Sequence, residues 1–317
     1  MPGYRYSGSV RLAAPRWDAK SQSECHFRTD SPQGLISWYH VYNMSTDPDD
    51  QPFRHYTTKH RIVAWISQNL FDSIVYTVRH GLLKGMKRKG GLAWLPEFIA
   101  GSTNTPEMSF WMSRDFNGCV VYDVGAFHGL LTLFFARTAR QVISYEPNTR
   151  NHTRLLDNLR LNGIENVLVR KVALGSKAGI ATMVAAPLML GGASIESDTV
   201  SGLLNSNLTT VSEQVPITTL DDDIRQMSLP VPDFVKIDVE GGELAVLMGA
   251  RNTLLTHKPQ LFLEMHGETV NLKRKNVAAL VACLNEFGYR EIRHVESGLR
   301  IDAGNSSAAA EGHLYCP

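Results

Sequence analysis

Two groups of polar residues stand at the ends of apolar runs, where an α/β fold gathers side chains into a crevice. The first lies in the stretch Val120–Gly129, VVYDVGAFHG, where an apolar run meets a glycine-containing turn and then a new apolar run. Such a turn lets a ligand approach the backbone, and free N–H groups at the following helix start face it. The dinucleotide fingerprint would read G-x-G-x-x-G. Here Asp123, Gly125 and Gly129 make D-x-G-x-x-x-G, with Phe127 where a middle glycine would sit. That arrangement favours S-adenosylmethionine, whose methionine ammonium wants a carboxylate near the turn. Glu146 ends the next apolar run, close to the spacing of about 20 residues at which an acid reaches a ribose hydroxyl pair. The cofactor-lining set expected from this pattern is Asp123, Gly125, Ala126, Phe127, Gly129, Glu146, Pro147, Val172 and Asp238.

The second group is Asp238, Glu240 and Glu243 in the turn after FVKI, with Glu264 and His266 after the run LFLE. Carboxylates crowded at strand ends repel one another unless cations or hydrogen bonds compensate. An acceptor hydroxyl needs a base, and Asp238, Glu240 and His266 are the candidates in that order. Glu243 also reads as a helix-start acid favoured by the helix dipole, and His266 as a structural hydrogen-bonder. The cluster Asp238, Glu240, Glu264 and His266 offers oxygen and imidazole ligands to a divalent cation, but no spacing is diagnostic, so no metal is assigned.

The elements that must position these residues alternate between strand and helix. Strands are predicted at Cys119–Val124, Val142–Glu146, Val167–Val172, Phe234–Asp238 and Gln260–Met265. Tyr289–His294 and Gly312–Cys316 form a candidate final pair. Helices are predicted at Leu130–Thr138, from Asn148 to Asn162, and at about 243–255 and 273–287. Alternation in this order means a doubly wound α/β sheet, whose ligand crevice lies beyond the carboxyl ends of the strands. Strands at Ile180–Val184 and Val215–Leu220 flank Leu190–Thr209, a stretch rich in Gly, Ser and Asn expected to lie over the site.

Upstream, a helix is predicted from His60, because Ile62, Ile66, Leu70, Ile74 and Val78 recur every fourth residue. Its end, the basic run Arg79–Lys89, reads either as a solvated end docking on the main domain or as a patch for an anionic substrate or a membrane surface. Pro106–Arg114 is a short helix with Phe110 and Trp111 as docking residues. The domain division is thus 1–57, poorly ordered, 58–115, helical, and 116–317, the α/β domain. Met44 is a candidate native start.

Net charge is +1, which gives no global attraction to nucleic acid, and no apolar run reaches the roughly 18 residues of a membrane span. Four cysteines without a CxxC pair require neither disulfides nor zinc. A cytoplasmic protein with a small-molecule or glycan partner is expected.

The segments VVYDVGAFHGLLTLFFA, ISYEPN, VALG, ITTLDD, PDFVKIDVEGGELAVLMGA and PQLFLEMH together resemble the FkbM family of methyltransferases. LLKGMKRKGGLAWLP resembles a segment that precedes the domain in some members. The resemblance implies a Rossmann-like class I methyltransferase sheet of seven strands with the last antiparallel, S-adenosylmethionine as donor, and in many members O-methylation of sugars or small-molecule natural products. It assigns Asp123, Gly125 and Gly129 to the cofactor loop, Glu146 to the ribose, and Asp238–Glu243 to the hallmark acidic turn. The family's loop often reads DVGAN-x-G, and Phe127 replaces that Asn. The alternative of another class is a non-catalytic scaffold that keeps the cofactor pocket. A nicotinamide oxidoreductase is disfavoured by the turn.

Overall fold

The computed structural model describes residues 72–90, 105–185, 193–195, 200, 210–267 and 269–317. The 1–57 extension, the start of the predicted helix at His60 and most of Leu190–Thr209 lie outside these residues. Where the end of that helix was expected, the chain forms a hairpin. Strand β1 (Val75–Thr77) pairs antiparallel with β2 (Lys87–Lys89). Gly81, Gly85 and Gly90 take φ of +72°, +88° and +85°, a backbone that reverses the chain and that a right-handed helix cannot hold. Three glycines override the fourfold apolar spacing.

Helix α1 (Pro106–Met112) is capped by Thr105, whose hydroxyl accepts from the Met108 N–H. It docks its Trp111, 1% exposed, against Phe262 at 4.2 Å and Phe135 at 5.4 Å. The main sheet contains β3 (Val120–Val124), β4 (Gln141–Tyr145), β5 (Val167–Arg170), β10 (Phe234–Ile237), β11 (Gln260–Glu264), β12 (Arg293–His294) and β13 (His313–Cys316). Its order is β12-β13-β11-β10-β3-β4-β5. The strands from β11 to β5 run parallel, while β13 is antiparallel to both β11 and β12. β3 and β10 are buried along their whole length, the pattern of a parallel sheet covered on both faces.

Helices α2 (Leu130–Phe135) and α3 (Thr149–Leu161) follow β3 and β4. The Asn148 side chain accepts from the Arg150 and Asn151 N–H groups and so starts α3. Hairpin β1–β2 packs along α3, where Asn158 accepts from the Lys89 N–H at 2.8 Å and Asp157 pairs with the Lys89 ammonium at 2.7 Å. The expected single helix at about 243–255 is two, α5 (Glu243–Gly249) and α6 (Arg251–His257), after α4 (Leu220–Met227). Helix α7 (Val270–Glu286) buries Val277, Leu280, Val281 and Leu284 on the sheet.

A second sheet interrupts the alternation. It holds β6 (Ala173–Leu174), β7 (Gly179–Ala185), β8 (Ala193–Ser194) and β9 (Val211–Thr218) in the order β6-β9-β7-β8. The strand expected at Ile180–Val184 lies within β7. That expected at Val215–Leu220 is strand only to Thr218, the end of β9, and Leu220 opens α4. β7 and β9 pair antiparallel.

Candidate functional site

The carboxyl ends of β3, β4 and β10 open into a cavity of about 350 Å³. The second sheet supplies its far wall through Met183, Ser194 and Ile217. Most of the remaining wall is apolar, and Glu146, Asp238 and Glu240 are its acidic lining residues.

The glycine turn is built by close backbone contact. Gly125 has φ +78°, and a Cβ there would stand 1.7 Å from the Asp238 carbonyl oxygen. The ends of β3 and β10 therefore approach more closely than any side chain permits. Phe127 adopts φ +50°, a left-handed conformation that asparagine tolerates better than phenylalanine. Its ring stacks on His128 at 3.7 Å. The N–H of Phe127 donates to Glu146 Oε2 at 2.7 Å, while Asn148 N–H donates to Oε1 at 3.0 Å. Oε1 also accepts from Asn151 Nδ2 at 3.4 Å, while Oε2, with one donor, keeps a further lone pair for an incoming hydroxyl. Burial pushes the Glu146 carboxyl up to about 7, against the hydrogen bonds that favour its charge.

Of the expected cofactor set, Gly125, Phe127, Glu146, Pro147, Val172 and Asp238 line the cavity. Asp123, Ala126 and Gly129 do not. Strand alternation turns the Asp123 carboxylate beneath the turn, where Oδ2 accepts from Thr132 Oγ1 at 2.5 Å. Its Oδ1 faces the Lys236 ammonium at 3.4 Å. Gly129 serves packing, because a Cβ there would meet Leu155 at 2.2 Å.

Sequence reasoning passed over Lys236, and the signal was present: a lysine inside a buried strand demands partners. Its ammonium donates to the Gly125 carbonyl at 2.9 Å and pairs with Asp238 Oδ2 at 3.1 Å. Burial opposes its charge, but Asp238 and Asp123 raise its affinity for the proton above that of an ordinary lysine. Burial would likewise raise Asp238, yet Lys236 and His266 hold its carboxyl below the usual range.

The acidic turn is a left-handed kink, with Glu240 at φ +55° and Gly241 at φ +108°. Buried Glu243 holds it together: its Oε1 accepts from the Gly241 N–H at 3.1 Å and bonds His266 Nδ1 at 2.8 Å. Glu243 is therefore more than a helix-start acid. His266 stands behind the cavity wall, its Nε2 at 3.7 Å from Asp238 Oδ1, from Glu240 Oε2 and from Glu264 Oε1. Burial disfavours its charge, but the bond and charge of Glu243, followed by Glu240 and Asp238, push the imidazole up to about 10. That shift favours the imidazolium form, the weaker proton acceptor. Glu240 and Glu264 are each pushed up to about 7, chiefly by burial.

A family model described as the methyltransferase FkbM domain matches residues 123–291. A stretch of 199 residues is 27% identical to part of the AMB antimetabolite synthetase AmbE of Pseudomonas aeruginosa, covering 54% of this chain and 9% of that protein. Among solved structures, the methyltransferase FkbM of Methylobacillus flagellatus aligns with TM-score 0.41 and 19% identity, over 69% of this chain and 46% of that one. SMU.1697c of Streptococcus mutans, solved in complex with SAH, aligns with TM-score 0.35 and 11% identity, over 60% of this chain and 86% of that one. The chain thus spans less than half the length of both AmbE and the Methylobacillus protein. Among the described residues, no helix is long and apolar enough to cross a membrane.

Proposed function

Since this chain belongs to the FkbM methyltransferase family, we propose that it transfers a methyl group from S-adenosylmethionine to a hydroxyl of a sugar or small-molecule natural product. The observation that carries this reading is Glu146, at the exit of β4, lining a cavity that runs from the Gly125 turn to the carboxylates after β10. A carboxylate there accepts both hydroxyls of a ribose, and the apolar wall of Val124, Tyr145, Val172 and Leu174 suits a purine face. The likeness to a segment of a synthetase named for a small antimetabolite supports a small-molecule acceptor.

When bound, S-adenosylmethionine supplies an electrophilic methyl carbon and departs as a neutral thioether. The protein's own contribution is alignment and exclusion of water, because charge is lost on the way to the transition state. Of the three candidate bases, Glu240 fits best. It lines the cavity, whereas Asp238 commits Oδ2 to Lys236 and His266 is enclosed by acids. Lys236 braces the Gly125 carbonyl and Asp238 together, so the turn and the acids keep one spacing.

Calorimetry with S-adenosylmethionine and S-adenosylhomocysteine, followed by methyl transfer to a panel of hydroxylated acceptors, tests the reading. Binding of both nucleosides with transfer is the expected result. Binding without transfer to any acceptor favours the scaffold alternative, and no affinity for either nucleoside overturns the assignment.

A further inference from the structure

We propose that Asp238, Glu264 and His266 form a binding site for a divalent first-row metal ion at the exits of β10 and β11, beside the cavity. One donor atom from each of the three lies within 4.8 Å of the other two. The site is more than a patch of acids, because its nitrogen ligand is preset. Glu243 Oε1 takes the Nδ1–H of His266, which leaves Nε2 directed at the carboxylates. That is the carboxylate–histidine arrangement that orients metal-bound imidazoles.

Distances support a cation between these groups. Nε2 stands 3.7 Å from one oxygen each of Asp238, Glu264 and Glu240, beyond hydrogen-bond reach of all three. Two ligands held about 2.1 Å from one ion at a tetrahedral angle are about 3.4 Å apart, so each imidazole–carboxylate pair needs only a small contraction to share an ion. The oxygens are also sorted. Asp238 turns Oδ2 to Lys236 and Oδ1 toward His266. Glu264 turns Oε1 toward His266 and Oε2 toward His313 Nε2 at 3.9 Å. His313 is itself held through Nδ1 by Glu296 at 2.6 Å. Mixed nitrogen and oxygen ligation suits manganese, iron or zinc better than magnesium or calcium.

A metal and a proton are alternatives at the same Nε2 atom, so metal binding displaces the imidazolium proton. On the methyltransferase reading, on which this role alone rests, the ion would hold and acidify the acceptor's oxygen at the cavity edge while Glu240 closes its other side.

The test uses full-length protein freed of metal with a chelator, titrated with Mn2+ and followed by electron paramagnetic resonance. Zn2+ is added in a competition arm. One Mn2+ per chain, displaced by Zn2+ and showing nitrogen hyperfine coupling, is expected. E264Q and H266Q should each weaken binding at least tenfold, and E243Q by about 10- to 100-fold. The nitrogen coupling needs no variant, so it stands even if a substitution impairs folding. Absence of retained Mn2+ and Zn2+, or retention without nitrogen coupling and unchanged in E264Q and H266Q, overturns the site. Binding of S-adenosylhomocysteine by the same metal-free sample is measured in parallel. If the nucleoside binds and no metal does, the metal site fails alone. If metal binds and the nucleoside does not, the cofactor reading fails alone.

Discussion

Glu243 Oε1 lies 2.8 Å from His266 Nδ1 and 3.1 Å from the Gly241 amide. One buried oxygen thus ties the end of β11 to the turn after β10 and sets both the ring plane of His266 and the kink that carries Glu240. The two strand exits are thereby held as one unit beside the cavity.

Replacing Glu243 with alanine should remove the shared anchor. The Gly241 and His266 donors lose a buried acceptor, a loss of about 1–3 kcal/mol that urea denaturation reads directly. Turnover should fall more than tenfold while S-adenosylhomocysteine affinity changes less than threefold, since Glu243 does not line the cavity. E243Q, which keeps an oxygen acceptor, should recover most of the stability.

Glu146 makes nucleoside affinity depend on pH. Its carboxyl is lifted from 4.5 to about 7, so the folded apo protein favours the neutral form. Its contribution to stability is complete below the unfolded value and is lost as pH rises through about 7. Ribose hydroxyls donate best to the ionised form. Affinity for S-adenosylhomocysteine should therefore tighten between about pH 6 and about pH 8 while the apo melting temperature falls. Calorimetry and thermal melts on E146Q should show both trends flattened, with weaker binding throughout.

Lys236→Met should be severely destabilising. It leaves Asp123 and Asp238 without their shared cation and the Gly125 carbonyl without its donor. Breaking a buried charge pair in this way costs about 3–5 kcal/mol. A urea midpoint within error of the parent would show that the network contributes little.

Gly125→Ala should abolish nucleoside binding. The added Cβ would fall 1.7 Å from the Asp238 carbonyl oxygen, and the left-handed backbone at φ +78° adds about 1–2 kcal/mol of strain. Circular dichroism should still show the α/β signature, with binding lost in calorimetry. An alanine variant that binds as tightly as the parent would place the pocket elsewhere.

Trp111→Ala tests the docking of α1. The ring is 1% exposed and wedged among Phe116, Phe135, Phe234 and Phe262. A loss of about 3–5 kcal/mol is expected from the cavity left behind, with little change in nucleoside affinity.

Local pattern alone determined the alternation of strands and helices, because burial on both faces makes parallel strands apolar throughout, as in CVVYDV and FVKID. Chain-local chemistry also placed Asn148 at a helix start and Glu146 and Asp238 at strand exits bordering one crevice. Tertiary structure decided what neighbouring chain segments impose. Asp123, expected in the cofactor set, meets Thr132 and Lys236, since side-chain direction follows from the pleat and from which strand lies alongside. His266, read as a base, is enclosed by acids from β10, β11 and α5 that only folding brings together. The helix expected through Val78 and Leu82 gives way to a hairpin, because glycine backbone geometry and polar contacts with α3 outweigh apolar spacing. Spacing along a chain reports which residues share an element; the charge a buried group carries depends on partners distant in sequence.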